Sequence, residues 1–151
     1  MTSRVQIDPF EPGALLGGFC AGRSESGAVV SFTGLARAEH GATAALELES
    51  YPGFTEAQIA RIAEDARRRF GLDDLLVVHR TGEILPGEAV VFVAAAARHR
   101  RAAFEAADYL MDYLKSRAPF WKKEHGPEGS RWIEPRAEDH DDLERWEKTP
   151  L

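Results

Sequence analysis

Cysteine is nearly absent from this sequence. Cys20 is the one cysteine among 151 residues, which excludes an internal disulfide and a metal cluster held by cysteines alone. Arg23 is its one basic neighbour and no histidine stands near it, so its surroundings do not indicate a reactive thiolate. We therefore interpret Cys20 as a small buried or half-buried residue.

Long apolar runs are also missing. The longest, Ala89 to Ala97, is about half of the roughly 20 residues needed to cross a bilayer, and Arg98 follows it directly. The first residues, from Met1 to Pro9, contain no apolar leader segment. These absences predict a cytoplasmic protein without a membrane anchor.

Lysine is scarce, and its placement is uneven. The net charge of −6 argues against a general nucleic-acid binder. Of 19 basic residues four are lysines, and three of these, Lys115, Lys122 and Lys123, fall within nine residues. A lysine amine, unlike an arginine guanidinium, can lose its proton when its surroundings lower its pKa. The cluster therefore indicates either a reactive site or a solvated surface.

Several motifs of well-known enzyme classes are missing. The chain has no phosphate-binding loop of the Gly-x-x-x-x-Gly-Lys type, no dinucleotide-binding Gly-x-Gly-x-x-Gly and no Gly-x-Ser-x-Gly elbow. Its five histidines are scattered, without the short spacing of zinc ligands. We expect neither a metal site nor a bound cofactor.

Apolar periodicity and turn residues predict a mixed set of strands and helices. Strict strand–helix alternation is rare along the chain, which favours an α+β fold with a mixed or antiparallel sheet and two main helices. We expect one domain over residues 1–151, with 136–151 as a loose tail or a surface helix. The predicted strands are Val5–Ile7, Gly27–Phe32 (buried), Ala45–Tyr51, Leu75–His79 and Ala89–Ala96, and the predicted helices are Ala14–Cys20, Thr55–Phe70 and Arg101–Arg117.

The two long predicted helices carry recognisable signals. Thr55 with Gln58 three residues later resembles a capping box, and Gly71 suits the helix end. Pro119 ends the second helix, and Lys115 falls at the edge of its apolar stripe. A lysine there can lay its stem on apolar surface and present its amine in a cleft, or can be purely structural. The stripe comprises Ala103, Phe104, Ala107, Leu110, Met111 and Leu114.

Cations recur where predicted elements end. Arg37 follows the second strand, His99 and Arg100 follow the long apolar strand, and Lys115 and Lys122 lie on either side of Pro119. Arginine can hold a phosphate through two parallel hydrogen bonds, and lysine can add a point charge or exchange a proton. The pattern predicts a site for a phosphorylated ligand, although each surface cation alone is unremarkable.

Five segments in the same order resemble the large subunit of molybdopterin synthase. The resemblance covers roughly residues 27 to 134. The segments are Gly27–Arg37 (GAVVSFTGLAR), Leu48–Gly53 (LESYPG), His79–Gly82 with Pro86–Glu88 (HRTG and PGE), His99–Ala106 (HRRAAFEA) and Met111–Glu124 (MDYLKSRAPFWKKE).

This resemblance implies an α/β hammerhead-type fold and a homodimer in which each copy binds a small ubiquitin-like sulfur-carrier subunit, giving a heterotetramer. It implies a sulfurtransferase that moves sulfur from the small subunit's C-terminal thiocarboxylate to cyclic pyranopterin monophosphate, opening the cyclic phosphate and forming the molybdopterin dithiolene. The single cysteine agrees with sulfur that arrives on a partner.

The matched motifs also imply residue roles. Lys115 and Lys122 are the catalytic candidates: Lys115 as acid, base or transient amine partner, and Lys122 as a charge that stabilises the opening phosphate. Leu35, Ala36 and Arg37 would hold the substrate from one side, and Lys123 and Glu124 would border the site. His99 and Arg100 would hold the phosphate, either from the same copy or from the second one.

The chain departs from the family pattern in small ways. Ala36 stands where the family often has valine, and Phe54 stands where methionine often follows Tyr-Pro-Gly.

Two other functions fit parts of the sequence pattern. One is a noncatalytic module that binds a phosphorylated ligand or a ubiquitin-like partner. The other is an RNA-binding domain that stacks bases on Phe120 and Trp121, which the acidic net charge disfavours.

Overall fold

The computed structural model describes residues 2–38, 45–133 and 137–147. The elements in chain order are β1 (Ser3–Gln6), α1 (Pro12–Cys20), β2 (Ala28–Leu35), β3 (Ala45–Ser50), α2 (Phe54–Phe70), β4 (Asp74–Arg80), β5 (Gly82–Ile84), β6 (Ala89–Ala97), α3 (Arg100–Arg117), β7 (Phe120–Gly126), β8 (Gly129–Ile133) and α4 (Ala137–Glu147).

The strands form two four-stranded sheets. The main sheet has the order β1-β4-β6-β2, and the second sheet has the order β5-β3-β7-β8. β1 pairs with β4 in parallel, and the other strand pairs are antiparallel. This arrangement, with the two long helices α2 and α3, confirms the predicted α+β class. No helix in the described part of the chain is long and apolar enough to cross a membrane.

The main sheet is covered on both faces, which explains the unbroken apolar run of β6. One face packs on α2 and α3 through residues such as Val77, Val93 and Leu110. The other face packs on α1, where Phe19 meets Phe92. Strands buried on both faces need apolar side chains at every position rather than at alternate ones. Truncating a fully buried side chain such as Leu110 to alanine is expected to cost about 2–5 kcal/mol.

β7 and β8 form a hairpin that the sequence analysis did not predict. The turn between them uses Gly129, whose φ of 109° lies in the region that glycine adopts without strain. The hairpin is rich in charged residues because much of it is exposed, so its strands lack clear apolar alternation. Its register against β3 places Lys122 opposite Leu48.

Several local expectations were wrong. β2 extends to Leu35 and is a half-buried edge strand rather than a buried one. Cys20 is exposed, because it ends α1 on the side away from the sheet's apolar contacts. In α3, Phe104 is 56% exposed, while Ala106 and Tyr109 are buried in its place.

The C-terminal segment is ordered in its described part. α4 packs on α3: Leu143 is buried, and the ring of Trp146 contacts Phe70 and Tyr109 edge-on. The indole of Trp146 donates a hydrogen bond of 2.6 Å to Asp112 on α3. The aromatic contacts and this bond fix α4 to the helical face of the molecule.

Candidate functional site

The two catalytic candidates lie on either side of one sharp corner between α3 and β7. Lys115 lies in the last turn of α3, which ends at Arg117, and Lys122 is the third residue of β7. Both side chains are exposed. The carbonyl end of a helix favours a nearby cation, which suits Lys115. The corner itself consists of Ala118 and Pro119.

A buried hydroxyl holds this corner to the start of α2. Thr55 is fully buried, and its hydroxyl donates a 2.9 Å hydrogen bond to the carbonyl oxygen of Pro119. The hydroxyl oxygen of Thr55 in turn accepts a 2.9 Å hydrogen bond from the backbone N–H of Tyr51. The predicted capping box at Thr55 was therefore wrong. The N-cap is Gly53, whose N–H donates to the carboxylate of Glu56.

A buried histidine supports the same corner from the main sheet. His79 is 9% exposed, and its ring stacks on Phe120 with 4.1 Å between centroids and 19° between planes. Its Nδ1 lies 2.8 Å from the carbonyl oxygen of Arg80. Since a carbonyl oxygen can only accept, Nδ1 carries the proton in this contact.

The surroundings of His79 keep its ring uncharged. Burial, with a smaller contribution from the positive charge of Lys115, lowers the pKa of His79 from 6.5 to about 4. The hydrogen bond to Arg80 acts in the opposite direction and is outweighed. The influence of Lys115 on this pKa places its charge beside the His79–Phe120 stack.

The two neighbouring lysines of β7, Lys122 and Lys123, point to opposite faces of the second sheet. Lys122 lies opposite Leu48, so it shares the sheet face on which Leu48 packs with Ala36. Lys123 points to the other face, because successive strand residues alternate, and its amine lies 5.0 Å from the ring centroid of Trp132. Of these two lysines, only Lys122 therefore lies on the face of the second sheet that packs towards Ala36.

The other candidate residues near the corner, Glu124 and Leu35 to Arg37, differ in their contacts and in their exposure. Glu124 shares the face of Lys122 and forms an ion pair with Arg131 at 3.1 Å. Both backbone groups of Ala36 are engaged: its N–H donates to Glu88 at 2.9 Å, and its carbonyl accepts from Gly87 at 2.7 Å. The buried Ala36 thus anchors the end of β2, and the exposed Leu35 and Arg37 flank it.

His99 and Arg100 lie at the opposite end of the molecule. Lys115 follows Arg100 by fifteen positions along α3, a rise of roughly 22 Å at 1.5 Å per residue. β2 and β6 are antiparallel, so Arg37 lies at the start of β6 while His99 follows its end. One copy therefore brings Arg37, Lys115 and Lys122 to one end and places His99 and Arg100 at the other.

Cations at the start of α3 oppose the usual preference of helices. His99 is the N-cap, its side chain makes no capping hydrogen bond, and the first turn contains no acidic residue. The N-terminus of a helix carries partial positive charge, which disfavours cations and attracts anions. Arg100 and Arg101 add to this positive potential, so this end suits a phosphate group.

The fold and the site together define a class of protein. It is an α+β protein with lysines at a rigid corner and an anion-attracting helix start at the far end. In the described part of the chain no cluster of His, Cys, Asp and Glu could hold a metal ion. The residues at the two ends of the molecule can supply acid–base chemistry and electrostatic stabilisation of an anionic group.

Comparison with known proteins identifies the family. The family model described as MoaE protein matches residues 5–117, so the chain belongs to the MoaE family. The molybdopterin synthase catalytic subunit of Caulobacter vibrioides is 69% identical over 140 residues, which cover 93% of each chain.

Solved structures agree with this assignment. The molybdopterin biosynthesis MoaE protein from Burkholderia ambifaria has a TM-score of 0.82 and 43% identity, with 97% of each chain covered. A crystal structure of molybdopterin synthase from Staphylococcus aureus has a TM-score of 0.78 and 30% identity, covering 86% of this chain and 95% of that one.

Sequence reasoning missed two residues of the corner. Thr55 was interpreted as a cap, and His79 was noted only as part of a motif. Neither residue type is unusual at such a position, and their partners, Pro119 and Phe120, are more than 40 residues away in the chain. Contacts of that separation leave no periodic signal.

Proposed function

We propose that this chain is the catalytic subunit of a cytoplasmic molybdopterin synthase. It would transfer sulfur from the thiocarboxylate of a small ubiquitin-like subunit to cyclic pyranopterin monophosphate, forming the dithiolene of molybdopterin. Membership of the MoaE family supports this function. The observation that carries the assignment of the site is the corner at Pro119, which holds Lys115 and Lys122 on either side of two buried contacts.

Lys115 is the principal catalytic candidate. Its amine would act as acid or base, or as a transient amine partner, near the thiocarboxylate carbon and the pterin. Its side chain is exposed, and its positive charge acts on the buried ring of His79, which supports a position next to the corner. An exposed amine at this position can reach a bound substrate and exchange a proton with it.

Lys122 would stabilise negative charge as the cyclic phosphate opens. It lies on the face of the second sheet that packs towards Ala36, and Arg37 follows Ala36 directly. This arrangement supports Arg37 and Lys122 as two residues that would hold one anionic ligand. Leu35 would add apolar contact, and Glu124 would border the site. Lys123 has a weaker claim, because it points to the other face.

His99 and Arg100 would hold the phosphate of a substrate bound mainly to a second copy. The separation of roughly 22 Å along α3 is too long for one small pterin to bridge within one copy. A homodimer in which each site combines two copies resolves the separation. With one small subunit bound to each copy, the assembly would be a heterotetramer.

The sulfur would come from the partner. Cys20, the single cysteine, ends α1 on the opposite side of the main sheet from α3, which carries Lys115. It is therefore badly placed to donate sulfur at the corner. A thiocarboxylate on a flexible C-terminal tail of the small subunit could enter the cleft and would supply sulfur without a cysteine in this chain.

Reconstitution tests this function. Purified protein is mixed with thiocarboxylated small subunit and cyclic pyranopterin monophosphate, and molybdopterin is quantified. We expect product with the unmodified chain and a loss of at least about a hundredfold with Lys115→Ala, the lower range for removal of an acid–base group. Arg68→Ala, on the exposed face of α2, is the matched control and is expected to retain activity.

A second lysine variant separates catalysis from binding. Lys115→Arg keeps the positive charge but removes a readily exchangeable proton. We expect it to bind the small subunit normally and to form little product. A chain that binds the small subunit but gives no product even unmodified would instead be a noncatalytic binding module.

A further inference from the structure

Arg80, the last residue of β4, is a buried cation to which the proposed function gives no role. It is 3% exposed. Its Nε and Nη2 donate to the carbonyl oxygen of Ile7 at 3.2 and 2.9 Å, and Nη2 also lies 3.3 Å from the carbonyl oxygen of Glu83. The guanidinium therefore joins the chain after β1 to β5, at the junction of the two sheets.

The third nitrogen of this guanidinium faces a carboxylate. Nη1 of Arg80 lies 3.5 Å from Oε1 of Glu88, and the side chains are 4% and 34% exposed. Nη1 is buried and makes no hydrogen bond to any described residue. A buried charge is costly unless an opposite charge compensates it, and in the described part of the chain Glu88 supplies that charge.

Glu88 in turn fixes the turn between β5 and β6. Its carboxylate accepts a 2.7 Å hydrogen bond from the N–H of Leu85, and its own N–H donates to the carbonyl oxygen of Leu85 at 3.0 Å. Gly87, inside this turn, has a φ of 91°, which glycine adopts without strain. The ion pair with Arg80 thus ties a four-residue turn to the buried end of β4.

The same turn sets the course of the chain at the end of β2. Glu88 accepts the N–H of Ala36 at 2.9 Å, and the carbonyl oxygen of Ala36 accepts the N–H of Gly87 at 2.7 Å. The regular pairing of β2 with β6 shifts between Gly34 and Leu35, just before this point. These two bonds therefore decide where Arg37, the next residue, begins.

We propose that Arg80 and Glu88 are positioning residues, which set the affinity for the anionic substrate by fixing Arg37 through the backbone of Ala36. Both would act without touching the substrate. An arginine that holds a phosphate by two parallel hydrogen bonds depends on its orientation, so a small shift of its backbone weakens binding. The inference rests on the proposed function for the identity of the substrate.

Glu88→Gln is the sharpest single test. It keeps the shape of the side chain and an oxygen that can accept from Leu85, but it removes the charge that faces Arg80. We expect the dissociation constant and the KM for cyclic pyranopterin monophosphate to rise on the order of tenfold, with kcat changed less than about twofold. Glu83→Gln is the matched control, because it makes the same chemical change at an exposed carboxylate nearby.

A second variant tests the other member of the ion pair. Arg80→Lys keeps the positive charge, but one amine cannot donate to Ile7 and Glu83 and also face Glu88. We expect the same rise in KM as for Glu88→Gln, and unchanged affinity for the small subunit. Urea unfolding of each variant verifies that it is folded under the conditions of the assay.

A double-mutant cycle shows whether the effect passes through Arg37. If Glu88 acts by positioning Arg37, adding Glu88→Gln to Arg37→Ala should weaken substrate binding less than about twofold further. A general structural defect would instead weaken binding equally in both backgrounds and would lower kcat. Isothermal titration calorimetry measures the dissociation constants without any turnover.

The outcomes separate this inference from the proposed function. Weaker binding in Glu88→Gln, absent from the Arg37→Ala background, supports the inference even if the chain forms no molybdopterin. Unchanged affinity in both Glu88→Gln and Arg80→Lys, or equal losses in both backgrounds, overturns the inference and leaves an active enzyme as proposed. An unmodified chain that binds no cyclic pyranopterin monophosphate overturns both.

Discussion

The two ends of α3 carry their cations in opposite ways. At the C-terminal end, Lys115 lies beside a corner fixed by the Thr55 hydroxyl and the His79–Phe120 stack. At the N-terminal end, His99 and Arg100 are exposed, and no acidic residue in the first turn balances them. The first end is supported by buried contacts, whereas the second has no such support.

This difference predicts that substitutions at the two ends of α3 will affect stability and activity differently. Residues of the corner should matter for stability as well as activity, because their contacts are buried. Cations at the start of α3 should matter for activity alone, and their removal should leave the fold as stable as before or slightly more so. Measurements of unfolding and of activity on the same variants can therefore confirm or break the comparison.

The largest effect on stability is expected from the titration of His79. Its pKa is lowered from 6.5 to about 4 in the folded protein. The unfolded chain binds the proton more readily, so the free energy of unfolding contributed by neutral His79 is complete above pH 6.5 and declines as the pH falls towards 4. The shift corresponds to a loss on the order of 3 kcal/mol.

The control for this prediction keeps the ring and removes the titration. His79→Phe can still stack on Phe120 but cannot bind a proton, so its stability should depend less on pH between 6.5 and 4 than that of the unmodified chain. Urea unfolding at pH 7.5, 6 and 4.5 measures both. Equal pH dependence of the two proteins would show that His79 does not titrate in this range.

A smaller effect is expected at Thr55. Thr55→Val keeps the shape but leaves the carbonyl of Pro119 and the N–H of Tyr51 without their shared buried partner, which costs about 1–3 kcal/mol. Thr55→Ser should recover most of the loss, because it restores the hydroxyl. Urea unfolding of the three proteins decides the point, and a stable valine variant would contradict the role of this hydroxyl.

The smallest effect on stability is expected at Arg100. Arg100→Ala removes a cation from a helix N-terminus, which should change the free energy of unfolding by less than about 1 kcal/mol, in the stabilising direction. Molybdopterin formation should fall nonetheless, with a higher KM for the phosphorylated substrate. Destabilisation in parallel with lost activity would place Arg100 in the same category as the corner.

The long elements were predictable from sequence because their signals are local. The helical spacing of Ile59, Ile62 and Ala66 identified α2, and Gly71 was placed correctly at its end, where the structure has a φ of 61°. The unbroken apolar run of β6 likewise predicted a strand, and the structure shows why the run is unbroken, since both faces of the sheet are covered. These features depend on neighbours within a few residues.

The parts that were not predicted depend on distant contacts. β7 and β8 carry many charges because only part of the hairpin is buried, so its alternation is weak. Phe104 follows the helical period of α3 but is exposed, since the packing of α4 and α2 turns the buried face towards Ala106 and Tyr109. The segment from Ala137 is highly charged, yet Leu143 and Trp146 fix it to α3.

The candidate site likewise has a part that could be predicted from sequence and a part that could not. The cations were found from sequence because lysine is rare and element ends are identifiable. Their separation into two groups was not predicted, because it requires the antiparallel register of β2 and β6 and the direction of α3. The buried supports of the corner were missed for a related reason, since each joins two distant parts of the chain.

Mixed dimers test the central claim, that one site combines two copies, most directly. Lys115→Ala and Arg100→Ala copies carrying different affinity tags are produced together, and the mixed dimer is isolated. One of its two sites then contains both intact residues, so we predict about half of the activity of the unmodified dimer. A dimer of one unmodified copy and one copy with both substitutions has no site with both residues intact, so it should form clearly less product than the first dimer at low substrate concentration. Activity in that second dimer, and none in the first, would show that each copy holds a complete site.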